Sequence, residues 1–277
     1  MKKPNVNNPR TVIIGVAFAA LTTAPLMASA VTPTPFKITN IHFETNASAC
    51  DMGIQMSFDT DGITEGEIEN PAGIPVFSMR SVPSMEHVND ITEVFQERVE
   101  PPISDLQAAL GCEPASETIA LSDLLAAWPA GIYEFDGESR GEEFEGRARL
   151  THKVPAGPEI LAPLDGTIVP HDQHLRIRWN KVTTPILPNL GPVTVVGYHV
   201  LLVDVSKRKL APGKTKTAFD ADVSAAETTF FVPKQFLEPG KIYEFEVLAT
   251  EKGGNQTITE GGVVCTAPIT AAKCVKP

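Results

Sequence analysis

Two acidic stretches and one histidine pair hold most of the side chains in this sequence that could do chemistry. Asp59-Thr-Asp-Gly62, followed by Glu65, Glu67 and Glu69, offers the hard oxygen ligands that Ca²⁺ takes, with Asp59, Asp61 and Glu65 as the candidate ligands. An EF-type loop has its Gly at the sixth position and here it comes at the fourth, so a solvated acidic hairpin is the plainer reading. His171-Asp-Gln-His174 would share a metal if it lay on a helix, but its composition puts it in a turn, as ordinary exposed histidines. Glu138, Glu142, Glu143 and Glu145 interleave with Arg140, Arg147 and Arg149. Carboxylate pairs cleave glycosidic bonds at separations of about 5 to 9.5 Å, yet this run reads as a charge-laced hairpin with no cleft or aromatic platform.

Motifs with a mechanism are missing from the sequence: no G-x-S-x-G, no H-E-x-x-H, no P-loop and no Rossmann glycine pattern. A hydrolase in the first half would have to draw on Asp and Glu residues with His152 or His87. No catalytic residue and no cofactor is therefore expected, and the chain reads as non-enzymatic. Asn46-Ala-Ser48 and Asn255-Gln-Thr257 fit the N-glycosylation sequon.

The elements that would position these residues are short and mostly β. Met1 to Ala30 reads as a signal peptide, with Lys2, Lys3 and Arg10, an apolar run from Thr11 to Leu21, and Ala28-Ser29-Ala30 for cleavage. That apolar run is shorter than the ~20 residues a membrane span needs, so no membrane insertion is expected after processing. Phe36 to Glu44 alternates, with a slip at Thr39-Asn40 that suggests a bulge. Gly53 to Phe58 is a strand ending at an Asp59–Gly62 turn; Gly66–Glu69 and Ile74–Arg80 form a hairpin across Asn70-Pro-Ala-Gly73; Val94 to Val99 is a further strand. Two short helices follow, one capped by Ser104 and stopped by Gly111, one over Leu121–Trp128 capped by Ser122-Asp123. Strands return at Ala130–Phe135 and Glu143–His152.

The expected division is 31–153, an acidic immunoglobulin-like sandwich with a helical insertion, and 154–277, a second sandwich with a C-terminal tail, joined at Pro155-Ala-Gly-Pro158. Charge divides the same way. The whole chain carries −11 and 31–153 alone carries −15, from 7 basic and 22 acidic residues. The remainder is close to neutral, and its Lys207-Arg-Lys209, Lys214 and Lys216 read as a solvated loop. So anionic a surface repels phosphate, which argues against nucleic acid as a partner.

Cys50, Cys112, Cys265 and Cys274 are an even number in a chain expected to be exported, which favours disulfides; no C-x-x-C pair suggests zinc. Of three connectivities, Cys50–Cys112 with Cys265–Cys274 keeps each bridge within one half.

From about Pro155 the landmarks are Trp179 on an early strand, Tyr198 on a second, and Leu237-Glu-Pro-Gly-Lys-Ile-Tyr243 leading into a third. A buried Trp and a Tyr placed after such a turn mark a β-sandwich with a tyrosine corner. With Gly253-Gly-Asn-Gln-Thr257 and the leader, this series resembles exported bacterial proteins that contain a fibronectin type III domain. The resemblance covers about the last 120 residues. Pro129-Ala-Gly-Ile-Tyr133 repeats the logic of the Tyr243 turn in the first half. The family implies an all-β fold of tandem immunoglobulin-like sandwiches and brings no catalytic residue with it. No Arg-Gly-Asp tripeptide is present, so integrin-style adhesion is not implied. The expected function is a non-enzymatic binding or structural protein in the periplasm or outside the cell, meeting a protein or glycan. A carbohydrate-binding accessory protein and a hydrolase in the first half are the alternatives.

Overall fold

The computed structural model describes residues 32–82, 90–206 and 218–277. The expected signal peptide, His87 and the Lys207–Lys216 cations lie outside the described residues.

The strands are β1 (Thr34–Pro35), β2 (Ile38–Asn46), β3 (Asp51–Ile63), β4 (Glu65–Glu69), β5 (Pro75–Arg80), β6 (Ile91–Glu97), β7 (Gly131–Ser139) and β8 (Glu142–Leu150). They continue as β9 (Ile160–Ala162), β10 (Thr167–Val169), β11 (Leu175–Trp179), β12 (Val195–Asp204), β13 (Ala218–Ser224), β14 (Thr229–Val232), β15 (Ile242–Glu251) and β16 (Gln256–Thr266). Between β6 and β7 lie the helices α1 (Ser104–Leu110) and α2 (Leu121–Ala127). The protein is all-β, built of face-packed sheets as the alternation predicts.

Two hydrophobic clusters fill the spaces between sheets. In the first, Ile41, Phe43, Ile54 and Met56 from β2 and β3 meet Tyr133, Phe135, Phe144 and Leu150 from β7 and β8. The second sets Leu175, Ile177 and Trp179 of β11 against Tyr198, Val200, Leu202, Tyr243, Phe245 and Val247 of β12 and β15. The Trp179 ring meets Tyr198 edge-on at 5.3 Å, and the Tyr198 hydroxyl accepts from the Val182 amide at 2.8 Å.

A five-stranded sheet runs β1-β8-β7-β4-β5 and a three-stranded one β14-β11-β9. The largest sheet runs β13-β12-β15-β16-β2-β3-β6, with β10 also on β16, so strands of both halves share it. The seam is the parallel pairing of Gln256, Thr257 and Ile258 with Glu44, Thr45 and Asn46. Asn255 locks this seam from a fully buried position. Its Nδ2 donates to Thr151 O (2.8 Å), Thr151 Oγ1 (3.0 Å) and Lys153 O (2.9 Å), and its Oδ1 accepts from Phe43 N (2.9 Å). Thr257 adds a bond from Oγ1 to Pro155 O at 2.6 Å. The Asn255 sequon is thus occupied by structure.

Several local expectations shift. Asp59–Gly62 is not a turn but the end of β3, where the pairing with β6 shifts register between Asp59 and Ile63 and Gly62 takes φ 128°. β2 and β3 pair without a bulge at Thr39-Asn40; Ile38 simply faces solvent. Ser104 is the first helical residue of α1 and Ser122 lies inside α2, so neither caps its helix. Asp105 of α1 caps α2 instead, its Oδ2 accepting from Leu121 N at 2.9 Å, because the helices pack side by side. Gly111 ends α1 in the left-handed region at φ 76°, which leaves Cys112 placed to bond Cys50 across a Cα–Cα distance of 6.1 Å. Cys265 bonds Cys274 at 5.7 Å and holds the C-terminal tail on Val263 and Ile242.

Candidate functional site

On β4, β7 and β8 the inward residues are apolar or small, so period-two alternation turns the intervening acids to the outer face of the five-stranded sheet. Register then aligns them. Glu145 faces Asp136, which faces Glu67, across three strands. Glu143, Glu138 and Glu65 form the next row, which ends on Arg80. A groove of about 590 Å³ lies over these rows, lined by all six carboxylates with Ser78, Met79, Arg80 and Phe144. The two acidic stretches that are 70 residues apart in sequence thus become one surface.

Among the described residues Arg80 is the single cation in that lining, and it is held by Glu65 at 3.0 Å. Arg147 reaches only Glu134, at 3.0 Å in the row beside it. Burial first, and then the charges of Glu134, Glu145, Glu69 and Glu67, push the Asp136 carboxyl above its usual range. Like charges directly opposite on a sheet each cost roughly 0.2–1 kcal/mol, so the rows oppose folding rather than aid it. Among the described residues the lining holds no histidine or cysteine, and its one hydroxyl is Ser78.

The other expected sites disperse. Asp59 and Asp61 converge on Lys37 Nζ, at 4.0 and 2.6 Å, while Glu65 turns to Arg80. His174 Nδ1 accepts from Lys234 N at 3.3 Å in the turn before β11. Arg140 pairs with Asp90 at 2.8 Å. His152, half-buried, packs 5.9 Å from the Phe43 ring with Nε2 against Trp128 O at 2.9 Å. Trp179 is buried and Trp128 stacks on Tyr133 at 6.4 Å. The large exposed aromatics among the described residues, Phe95 and Phe231, sit in different sheets and make no platform.

A second acidic cluster escaped the sequence. Glu44 of β2 with Glu97 and Glu100, at and beyond the end of β6, bring one oxygen each within 4.8 Å of one another. Burial, then Glu97, pushes the Glu44 carboxyl up to about 7; burial, then Asp51 and Glu44, does the same to Glu100. Three segments meet here only through β2–β3–β6 pairing, so no motif announces them; the signal available was the alternation that turns Glu44 and Glu97 outward.

Among the described residues no helix is long and apolar enough to cross a membrane. No family model and no curated protein matches the chain. Among solved structures it is similar to a segment of two fibronectin type III domains from chicken tenascin, at 12% identity and a TM-score of 0.26, over 83% of this chain and 99% of that one. A 1.5-MDa bacterial ice-binding adhesin is similar at 12% identity and a TM-score of 0.25, over 85% of this chain and 66% of that one. The BSP domain of a biofilm associated protein follows at 12% and 0.23, over 84% and 30%.

Proposed function

We propose that this is an exported, non-enzymatic binding or structural protein, folded as two fused sandwiches divided near residue 154, whose outer acidic sheet face recognises a cationic protein segment. The supporting observation is the groove of six carboxylates with Arg80 as its one cation. Such a face loses folding stability by self-repulsion and regains it when a Lys- or Arg-rich segment is laid across the rows. Two disulfides suit an oxidising compartment, in keeping with the leader. A glycan reading lacks an aromatic platform to rest on.

The test is calorimetric titration of the mature chain with a lysine-rich peptide at low and high salt, beside the double variant Glu67→Gln/Asp136→Asn. Saturable binding that weakens with salt and drops about tenfold in the variant is expected. Equal binding by both proteins, or none at low salt, would remove the groove as the recognition surface. Turnover on a panel of hydrolase substrates would overturn the non-enzymatic reading.

A further inference from the structure

We propose that Glu44, Glu97 and Glu100 form a Ca²⁺ site on the outer face of the largest sheet, apart from the acidic groove. Their three oxygens lie within 4.8 Å of one another. A Ca²⁺ ion binds oxygen at 2.3–2.6 Å, so two oxygens on one ion stand at most about 5 Å apart, and the spacing fits without rearrangement of the strands.

Two further observations point to a ligand. First, Glu100 Oε1 and Asp51 Oδ1 are buried and find no hydrogen-bond donor. None of Glu44, Asp51, Glu97 and Glu100 has a Lys or Arg partner among the described residues, whereas Asp204, Glu238 and Glu244 of the second half are met by Lys241 and Lys276. Buried carboxylate oxygen without a counter-ion is costly, and a cation is the group that removes that cost. Second, Gly53 leaves a cradle. A Cβ there would stand 2.5 Å from Glu100 Cγ and 3.1 Å from Glu100 Oε1, so the missing side chain is what lets Glu100 fold across β3 toward Glu44. Gln55, 8% exposed and paired with both His42 and Glu97 in register, donates to the Glu44 carboxylate and so holds it on this face of the sheet.

The donor set is three carboxylates, with the Asp51 carboxylate near Glu100. All-oxygen ligation selects a hard cation, and the open side of the sheet leaves room for the several waters that complete six to eight ligands. Glu44 and Glu97 come from β2 and β6, either side of β3 on the same sheet face, and Glu100 from the segment after β6, so the ion would tie that segment down over β3.

The experiment is thermal unfolding of the mature chain in EDTA, in CaCl₂ and in MgCl₂, for wild type and for Glu44→Gln, Glu97→Gln, Asp61→Asn and Glu67→Gln. At roughly ten times Kd, calcium should raise the wild-type melting temperature by about 3 °C or more. Glu44→Gln and Glu97→Gln should unfold no lower than wild type in EDTA, because they relieve repulsion, yet lose the calcium shift. Asp61→Asn and Glu67→Gln should keep it. No calcium shift in wild type, or its survival in Glu97→Gln, would overturn the site. Loss in Asp61→Asn or Glu67→Gln alone would also overturn it, by moving the ion to Asp59–Asp61 or to the groove.

Discussion

The two halves of the molecule each close around a tyrosine, and they do so differently. Tyr243 follows Leu237-Glu-Pro-Gly; its hydroxyl accepts from Glu238 N at 2.8 Å and donates toward Phe236 O at 3.4 Å. Tyr133 follows α2; its hydroxyl donates to Pro129 O at 3.2 Å, and its ring stacks on Trp128. Both rings are fully buried, and burial alone pushes the Tyr133 phenol up to about 12. Both tyrosines thus bond the backbone of the turn before them, Tyr243 at two points and Tyr133 at one, and the first half adds two helices and the Cys50–Cys112 bridge. Electrostatics differ in the same sense. Lys241 meets Asp204 at 2.7 Å and Glu238 at 3.2 Å, and Lys276 meets Glu244, whereas the first half leaves two groups of acids facing one another. The second half nearly balances its charge and the first carries the surplus, which is why the proposed sites both fall in the first.

That contrast predicts unequal dependence on the two disulfides. Replacing Cys50 and Cys112 by Ala releases a loop of 62 residues and should cost about 4 kcal/mol, against about 2.6 kcal/mol for Cys265 and Cys274, which are 9 apart. Urea unfolding of both double variants measures it, and equal losses would show that the helical half does not rely on its bridge. Asn255→Ala strands the Phe43 amide and two carbonyls at the seam, at a cost of about 3 kcal/mol. It should also split one unfolding transition into two, read by Trp fluorescence and circular dichroism; a single unchanged transition would mean that the halves are coupled elsewhere.

Smaller effects separate the two tyrosines. Tyr243→Phe leaves Glu238 N–H without its partner and should cost about 1–2 kcal/mol, with Tyr133→Phe nearer about 1 kcal/mol, because only Pro129 O loses a donor. A reversed order would contradict the closing roles assigned to them.

The smallest effect concerns pH. Glu44 and Glu100 hold their protons up to about 7 in the fold, against 4.5 normally. Between those values these two carboxyls bind more protons in the folded chain than in the unfolded one, so their contribution to stability falls as pH rises from 4.5 to 7 and levels off above, while His42, which burial holds below its usual range, works the other way. In EDTA the melting temperature at pH 5 should exceed that at pH 8, and Glu44→Gln should flatten the difference.

Residues whose partners are close in sequence were legible from the sequence. Asn70-Pro-Ala-Gly73 joins β4 to β5 as read, with Asn70 Oδ1 accepting from Ala72 N at 2.9 Å and Ile74 N at 3.1 Å. Cys265–Cys274 and the Leu237–Tyr243 corner are likewise short-range. Helix starts were missed because Asp105 caps a neighbour rather than its own helix. Asn255 reads as a sequon and serves as a latch, since the partners that occupy it lie more than a hundred residues away.

By itself the sequence determined the β class, the buried Trp179, the tyrosine turns and the charge imbalance, because alternation, Pro-Gly turns and ionisable side chains act over a few residues. Only the tertiary structure decided which acids become neighbours. Glu67 meets Asp136, and Glu44 meets Glu100, through strand register, and β16 joins β2 in parallel through a seam between distant segments. Register depends on whole faces being buried together, and that requirement belongs to the packed sheets rather than to any local stretch of chain.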